Sequence, residues 1–234
     1  MTQTATTAAR IGTTVSKVFY TSDPHFGHKR VSEIRGFWTT EEHDAALIEQ
    51  WNDQVTKHDT VYVLGDIAMS NHRYALEVLK ELPGRKHLIM GNHDIIHPAH
   101  ERGHSRAELD RWLETFDTVQ PFLRKKLNGT EVLLSHFPYP ESGDGFSREG
   151  SRFDQYRLPD MGRPLIHGHT HGKETIHDSG YTQEWTRIKN QFHVGWDAWG
   201  RLVDQEEIIE WLNTTYITLS AEDYTQIKEA LDGE

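Results

Sequence analysis

Apolar residues fall along this chain in short runs that stop abruptly at polar loops, and stretches of helical period lie between them. Val15–Tyr20 reads as a buried strand, broken at once by Thr21, Asp23, Pro24 and His25. A helix follows at about 40–56, with Thr39 and Glu42 spaced as a capping box and an apolar stripe of Leu47, Ile48, Trp51 and Val55. Thr60–Leu64 is the next strand and ends at Gly65–Asp66; residues 73–82 look helical; Lys86–Met90 is a strand that ends at Gly91-Asn92-His93-Asp94. Ser105 with Glu108 opens another helix, whose inner face would carry Leu109, Trp112, Leu113 and Phe116. Strands separated by helices predict an α/β fold with buried sheets.

The second half changes character. Phe122–Leu127 and Glu131–Ser135, joined across Asn128–Gly129, predict an antiparallel hairpin leading into His136. Pro164–Ile166 is a short strand before a histidine cluster, and residues 173–177, 190–195 and 200–203 read as further strands. Asp204 and Glu207 open a helix carrying Ile208, Ile209 and Leu212. Residues 1–14 read as a flexible arm, and residues 15–234 as a single domain with a polar loop at about 139–162 and a C-terminal helix at about 221–232.

Composition narrows the function. The 234 residues suffice for one full core, and seven Trp, eight Tyr and nine Phe spread along them mark a globular chain. A formal charge of -11 disfavours strong duplex nucleic acid binding, which needs clustered Lys and Arg, but leaves a small phosphate-bearing substrate open. The absence of cysteine excludes disulfides and thiolate-bound metals. With no signal-like start and no apolar stretch of about 18 residues, the expected location is cytoplasmic, away from membranes. A homodimer is left open.

Sixteen histidines are the outlying count, and several stand beside Gly, Asp or Pro at strand ends. The segments Asp23-Pro24-His25, Gly65-Asp66, Gly91-Asn92-His93-Asp94, Ser135-His136 and Gly168-His169-Thr170-His171 each follow a predicted strand. Loops at strand carboxyl ends converge on one crevice in α/β sheets. Taken singly, each segment has a bland reading as a turn; together and in this order they point to a metal site. Carboxylate, amide oxygen and imidazole without thiolate suit Mn, Fe, Zn, Co or Ni. A carboxylate can bridge two ions about 3.5–4 Å apart, which is the arrangement that clamps the attacking and leaving oxygens of an in-line displacement.

In this order the motifs resemble those of the calcineurin-like metallophosphoesterase superfamily: Asp-x-His, Gly-Asp, Gly-Asn-His-Asp/Glu, His and Gly-His-x-His. The resemblance spans residues 18–171 through its motifs and extends to about 212 through the terminal strands. It implies a four-layer α/β/β/α sandwich on two central mixed sheets, with the metal site at the strand carboxyl ends. It also implies Asp23, His25 and His171 as ligands of one metal, Asn92, His136 and His169 as ligands of a second, and Asp66 as the bridging carboxylate. His93 would contact the phosphoryl group and stabilise or protonate the leaving oxygen. Asp66, Asn92 and His93 thus form the catalytic set, and Mn is the first choice of metal.

Other residues stand near these motifs. Asp94 either orients His93 or caps its loop, the latter preferred; His167 is undecided between supporting the ligands and joining the core. His28, His72 and Arg73 are candidates for substrate contact, against a solvated helix start. Arg148, Arg152 and Arg157 read as solvated loop residues, and Trp196, Asp197 and Trp199 as packing and turn residues. The function expected is a binuclear phosphodiesterase acting on small or nucleotide-like diesters by attack of a metal-bridging hydroxide. A phosphomonoesterase or nucleotide phosphatase, a DNA or RNA nuclease, and a non-catalytic metal-site scaffold are the alternatives.

Overall fold

The structure, a computed structural model, describes residues 15–140, 152–178 and 189–214. The expected arm at 1–14, the helix at 221–232, Arg148 and the middle of the 139–162 loop lie outside them. Two mixed five-stranded sheets organise the chain. In the first, β1 (Val18–Thr21), β2 (Thr60–Val63), β3 (Arg85–Ile89) and β4 (Thr118–Gln120) run parallel, and β10 (Val203–Asp204) pairs antiparallel with β1. The second has the order β5 (Phe122–Leu127), β6 (Thr130–Ser135), β7 (Leu165–His167), β9 (Gln191–His193), β8 (Ile176–His177), with β6, β7 and β9 parallel.

The helices are α1 (Lys29–Ile34), α2 (Thr40–Gln54), α3 (His72–Glu81), α4 (Arg106–Leu113), α5 (Trp196–Trp199) and α6 (Gln205–Thr214). Strand alternation sorts the first sheet's side chains into two cores. Phe19, Val61, Val63 and Leu88 pack with Leu47 and Trp51 of α2, Leu76 and Leu79 of α3 and Trp112 of α4. Tyr20, Leu64 and Ile89 point the other way and meet Val132, Leu134, Ile166 and Phe192 of the second sheet, joined by Ile208, Trp211 and Leu212 of α6. Among the described residues, no helix is long and apolar enough to cross a membrane.

Local signals explain most boundaries. The Thr39 side chain accepts from Glu42 N, while the Glu42 carboxylate accepts from Trp38 N. Ser105 Oγ accepts from Glu108 N at the start of α4. Asn128 at φ 43° and Gly129 at φ 90° give the hairpin between β5 and β6 its left-handed turn residues, whose twist matches that of the strands.

Several expectations fail for physical reasons. The first strand starts at Val18, since Val15 is 86% exposed and only Val18 onward pairs with β2. In α4, Trp112 is buried and Phe116 beyond the helix end packs with it, while Leu109 and Leu113 face outward. Helix α1 and strand β4 were not legible: α1 buries only Val31 and Ser32, and β4 is three residues long. The expected strand at 200–203 is found only as β10 (Val203–Asp204), because Gly200 caps α5 at φ 61° and the chain is irregular until Val203. Arg157 is no solvated loop residue: its side chain is fully buried, donating to the Pro138 and Arg152 carbonyls.

Candidate metal centre

The two sheets meet at the ends of β1 and β9. Ser22 forms an isolated parallel bridge with Gly195, and Trp196 N donates to Ser22 O. Asp23 and His25 follow β1, Asp66 follows β2, and Asn92 and His93 follow β3. From the second sheet, His136 follows β6, while His169 and His171 follow β7. All lie just past a strand's carboxyl end, and the seam brings the sets together: His169 N donates to Asp23 Oδ2 at 2.9 Å.

Two groups of donors result, Asp23 with His25 and His171, and Asp66 with His136 and His169. In the first, His25 Nε2 and His171 Nε2 are 3.1 Å apart, and Asp23 Oδ1 lies 4.0 and 3.8 Å from them. In the second, His136 Nε2 is 3.1 Å from both His169 Nδ1 and Asn92 Oδ1. Asp66 Oδ2 lies 3.5 Å from His136 Nε2 and 3.9 Å from His25 Nε2, so one carboxylate oxygen reaches both groups. Leu64 O accepts from His136 Nδ1 at 2.7 Å, which leaves the Nε2 lone pair aimed into the centre.

The donors fit a cation. Asp23 Oδ1 is buried without a hydrogen-bond partner, and neutral His136, whose Nδ1 donates to Leu64 O, sets its Nε2 lone pair against Asn92 Oδ1 at 3.1 Å. Burial, and then the Asp23 charge, push the Asp66 carboxyl well above the usual carboxylate range. Burial also holds His25, His136 and His169 as neutral imidazoles, the form that ligates metal. His171 differs: burial pulls its pKa down, but Asp197 and Asp23 outweigh that and raise it.

The backbone here is unusual. Among the described residues, the non-glycine positions with positive φ are Asp23, His25, Asp66, Asn128, Phe153, His169 and His171. Most of them are candidate ligands. Each left-handed residue costs about 1–3 kcal/mol, and such strain concentrates at functional sites.

Neighbouring candidates sort clearly. His93 N donates to Asp66 Oδ1 at 2.8 Å, and the His93 side chain is 37% exposed, facing the open side. Burial, then His136, press its pKa down to about 4, so near neutrality it is an uncharged hydrogen-bonding imidazole. Asp94 holds the loops: its carboxylate accepts from Asp66 N, Ile67 N and Gly91 N. Burial, then the Asp66 charge, raise its pKa to about 7 against those donors.

His72 Nε2 donates to His93 O, which makes it a brace for that loop. His28 Nδ1 accepts from Val31 N and so caps α1, with its ring 6.2 Å from that of His25. Arg73 is not brought to the centre; its guanidinium is exposed and paired with Glu77. His167 joins the core, stacked with His193 and beside His177, with Nδ1 donating to Gly168 O.

Other contributors were missed. His100 Nε2 donates to Asn92 O at 2.8 Å, but nothing in the local sequence sets His100 apart from the many other histidines. Asp197, read as a turn residue, instead accepts from His171 Nδ1 at 2.7 Å and pairs with Arg35. No motif flags either partner, because they lie 162 positions apart.

No family model matches the chain. It is 41% identical over 208 residues to the gene 66 protein of Mycobacterium phage L5, covering 85% of this chain and 95% of that one. To the gene 66 protein of Mycobacterium phage D29 it is 42% identical over 205 residues, covering 85% and 97%. Its fold is similar to that of AQ665, a protein of unknown function from Aquifex aeolicus, with TM-score 0.56, 21% identity and coverage of 84% of this chain and 99% of that one. With this identity along nearly the full length of the phage proteins, the chain belongs to the family of the mycobacteriophage gene 66 proteins.

Proposed function

We propose that this chain is a binuclear metal-dependent phosphoesterase of the calcineurin-like superfamily, and that it acts as a phosphodiesterase on small or nucleotide-like diesters. The observation that carries the reading is Asp66 Oδ2, within 4 Å of a ring nitrogen in each donor group. Asp23, His25 and His171 would hold one divalent cation and Asn92, His136 and His169 the other, with Asp66 shared. This reading also includes the four-layer α/β/β/α arrangement. When bound, two such ions supply Lewis-acid polarisation of the phosphoryl oxygens and a water acidic enough to serve as nucleophile. The donor set has no thiolate, and Mn is the first choice among Mn, Fe, Zn, Co and Ni.

The chain's own residues complete the chemistry. Asp66 is held by the His93 and Asp94 loop, so the shared carboxylate and the half-exposed imidazole are fixed relative to each other. His93 then hydrogen-bonds a phosphoryl or leaving oxygen as negative charge develops there. Small diesters are favoured over duplex nucleic acid because the chain carries a net charge of -11.

The test is turnover of bis- and mono-p-nitrophenyl phosphate by metal-stripped protein before and after Mn addition. Mn-restored hydrolysis, faster on the diester, is expected. No restored turnover on either compound ends the enzyme reading, and faster monoester turnover replaces the diesterase with a phosphomonoesterase.

A further inference from the structure

Behind the first donor group runs a buried chain of hydrogen bonds that begins at His171 and ends on α2. His171 Nδ1 donates to Asp197 Oδ2 at 2.7 Å. Arg35 grips the same carboxylate through Nε to Oδ1 at 3.0 Å and Nη2 to Oδ2 at 2.7 Å. The two charged side chains are 4% and 7% exposed. Arg35 also donates to Asp23 O at 2.8 Å and Pro24 O at 3.1 Å. Its remaining nitrogen, Nη1, lies 2.9 Å from His43 Nε2, and His43 Nδ1 lies 2.8 Å from Asp44 Oδ1. A guanidinium can only donate, so His43 accepts at Nε2 and gives its Nδ1 proton to Asp44.

We propose that Asp197, carried by Arg35, is the positioning residue of the first cation site: it fixes the His171 tautomer that ligates and ties that histidine to the Asp23 backbone. The inference rests on the proposed role of His171 as a ligand. With Nδ1–H committed to a carboxylate, the His171 lone pair sits on Nε2, the atom that faces His25 Nε2 at 3.1 Å. Because Arg35 holds both the Asp197 carboxylate and the Asp23 and Pro24 carbonyls, one guanidinium sets the distance between ligands from opposite ends of the sequence. In the second group no side-chain carboxylate plays this part for His136, whose Nδ1 donates to a backbone carbonyl. Asp197 therefore acts on one site of the two.

Asp197→Leu removes this selectively, at a similar side-chain size. Asp197 Oδ2 accepts from both Arg35 Nη2 and His171 Nδ1, and leucine offers neither of them an acceptor. Without that acceptor nothing on this side keeps the ring proton on Nδ1, and the tautomer with the proton on Nε2 blocks ligation.

The test is calorimetric titration of the metal-free full-length protein with Mn2+, with electron paramagnetic resonance of the loaded protein. Wild type should bind two ions per chain and show the exchange-coupled spectrum of a Mn pair. Asp197→Leu should weaken one ion by about 10- to 100-fold, leave the other unchanged, and give an uncoupled spectrum when only the stronger site is filled. The single variant strands the Arg35 charge, so the double variant Arg35→Gln/Asp197→Leu removes both charges and should show the same one-site loss in a folded protein. Two wild-type affinities in either folded variant overturn the proposal. So does equal weakening of both sites, which marks a merely structural ion pair. Wild type that binds no Mn2+ fails earlier, at the reading of His171 as a ligand.

Discussion

The two donor groups use the same kinds of residue and are held differently. Around Asp23, His25 and His171 the Arg35–Asp197 ion pair grips both the His171 ring and the Asp23 backbone. Around Asp66, His136 and His169 the described partners of the donor side chains are main chain and aromatic rings, while the Asp94 carboxylate braces the loop backbone. His136 donates to Leu64 O, Asp66 accepts from His93 N, and the His169 ring lies 4.9 Å from that of Phe137. His136 is fully buried, whereas the His171 side chain is 25% exposed. A site fastened by side chains can be retuned one substitution at a time. A site fastened by the backbone changes only when the loops move.

The strongest way to break this contrast is at the residue both halves share. Asp66→Ala should lower affinity for both ions by more than about 100-fold and abolish metal-restored turnover, since losing even an indirect support costs up to that much. Elemental analysis after desalting reads the result, and retention of one ion would show that Asp66 serves a single site.

His93→Ala should keep both ions yet lower turnover by about 10²- to 10⁴-fold, the usual worth of a positioned proton-transfer group. Metal loss in that variant would make His93 a ligand. Gly91→Ala probes the backbone-held half directly, because a Cβ there would overlap the Asp66 carboxylate and amide. A stability loss of about 1–3 kcal/mol in denaturant melts is expected, typical of overpacking, together with weaker metal binding. Smallest of all, Arg73→Ala should change stability by less than about 0.5 kcal/mol and leave turnover unaltered, since its ion pair is exposed.

Legibility in the sequence followed the range of the interaction. The hairpin at Asn128–Gly129 and the caps at Thr39 and Ser105 are local devices, and they read directly. The donor motifs could be placed from sequence because each is a compact group after an apolar run, and the fold brings them together. Asp197 did not, since its partners come from elsewhere in the fold and an aspartate after Gly195 looks like any turn residue. Leu109 and Leu113 misled for the converse reason: helical period shows that a face exists, but not how much of it the neighbouring sheet can cover. The left-handed backbone at Asp23, His25, Asp66, His169 and His171 was equally hidden, because no glycine marks those positions.

The seam between Ser22 and Gly195 has one more consequence. Each sheet alone carries only part of the candidate donor set, and the parts face one another only when the sheets dock in the correct register. A slip of one residue turns a strand's side chains to the opposite face, so a misdocked chain would keep every motif and still have nowhere to hold an ion. On the proposed metal reading, metal capture would then serve as a checkpoint on assembly: a chain that retained ions through desalting would, by that fact, have joined its two halves correctly.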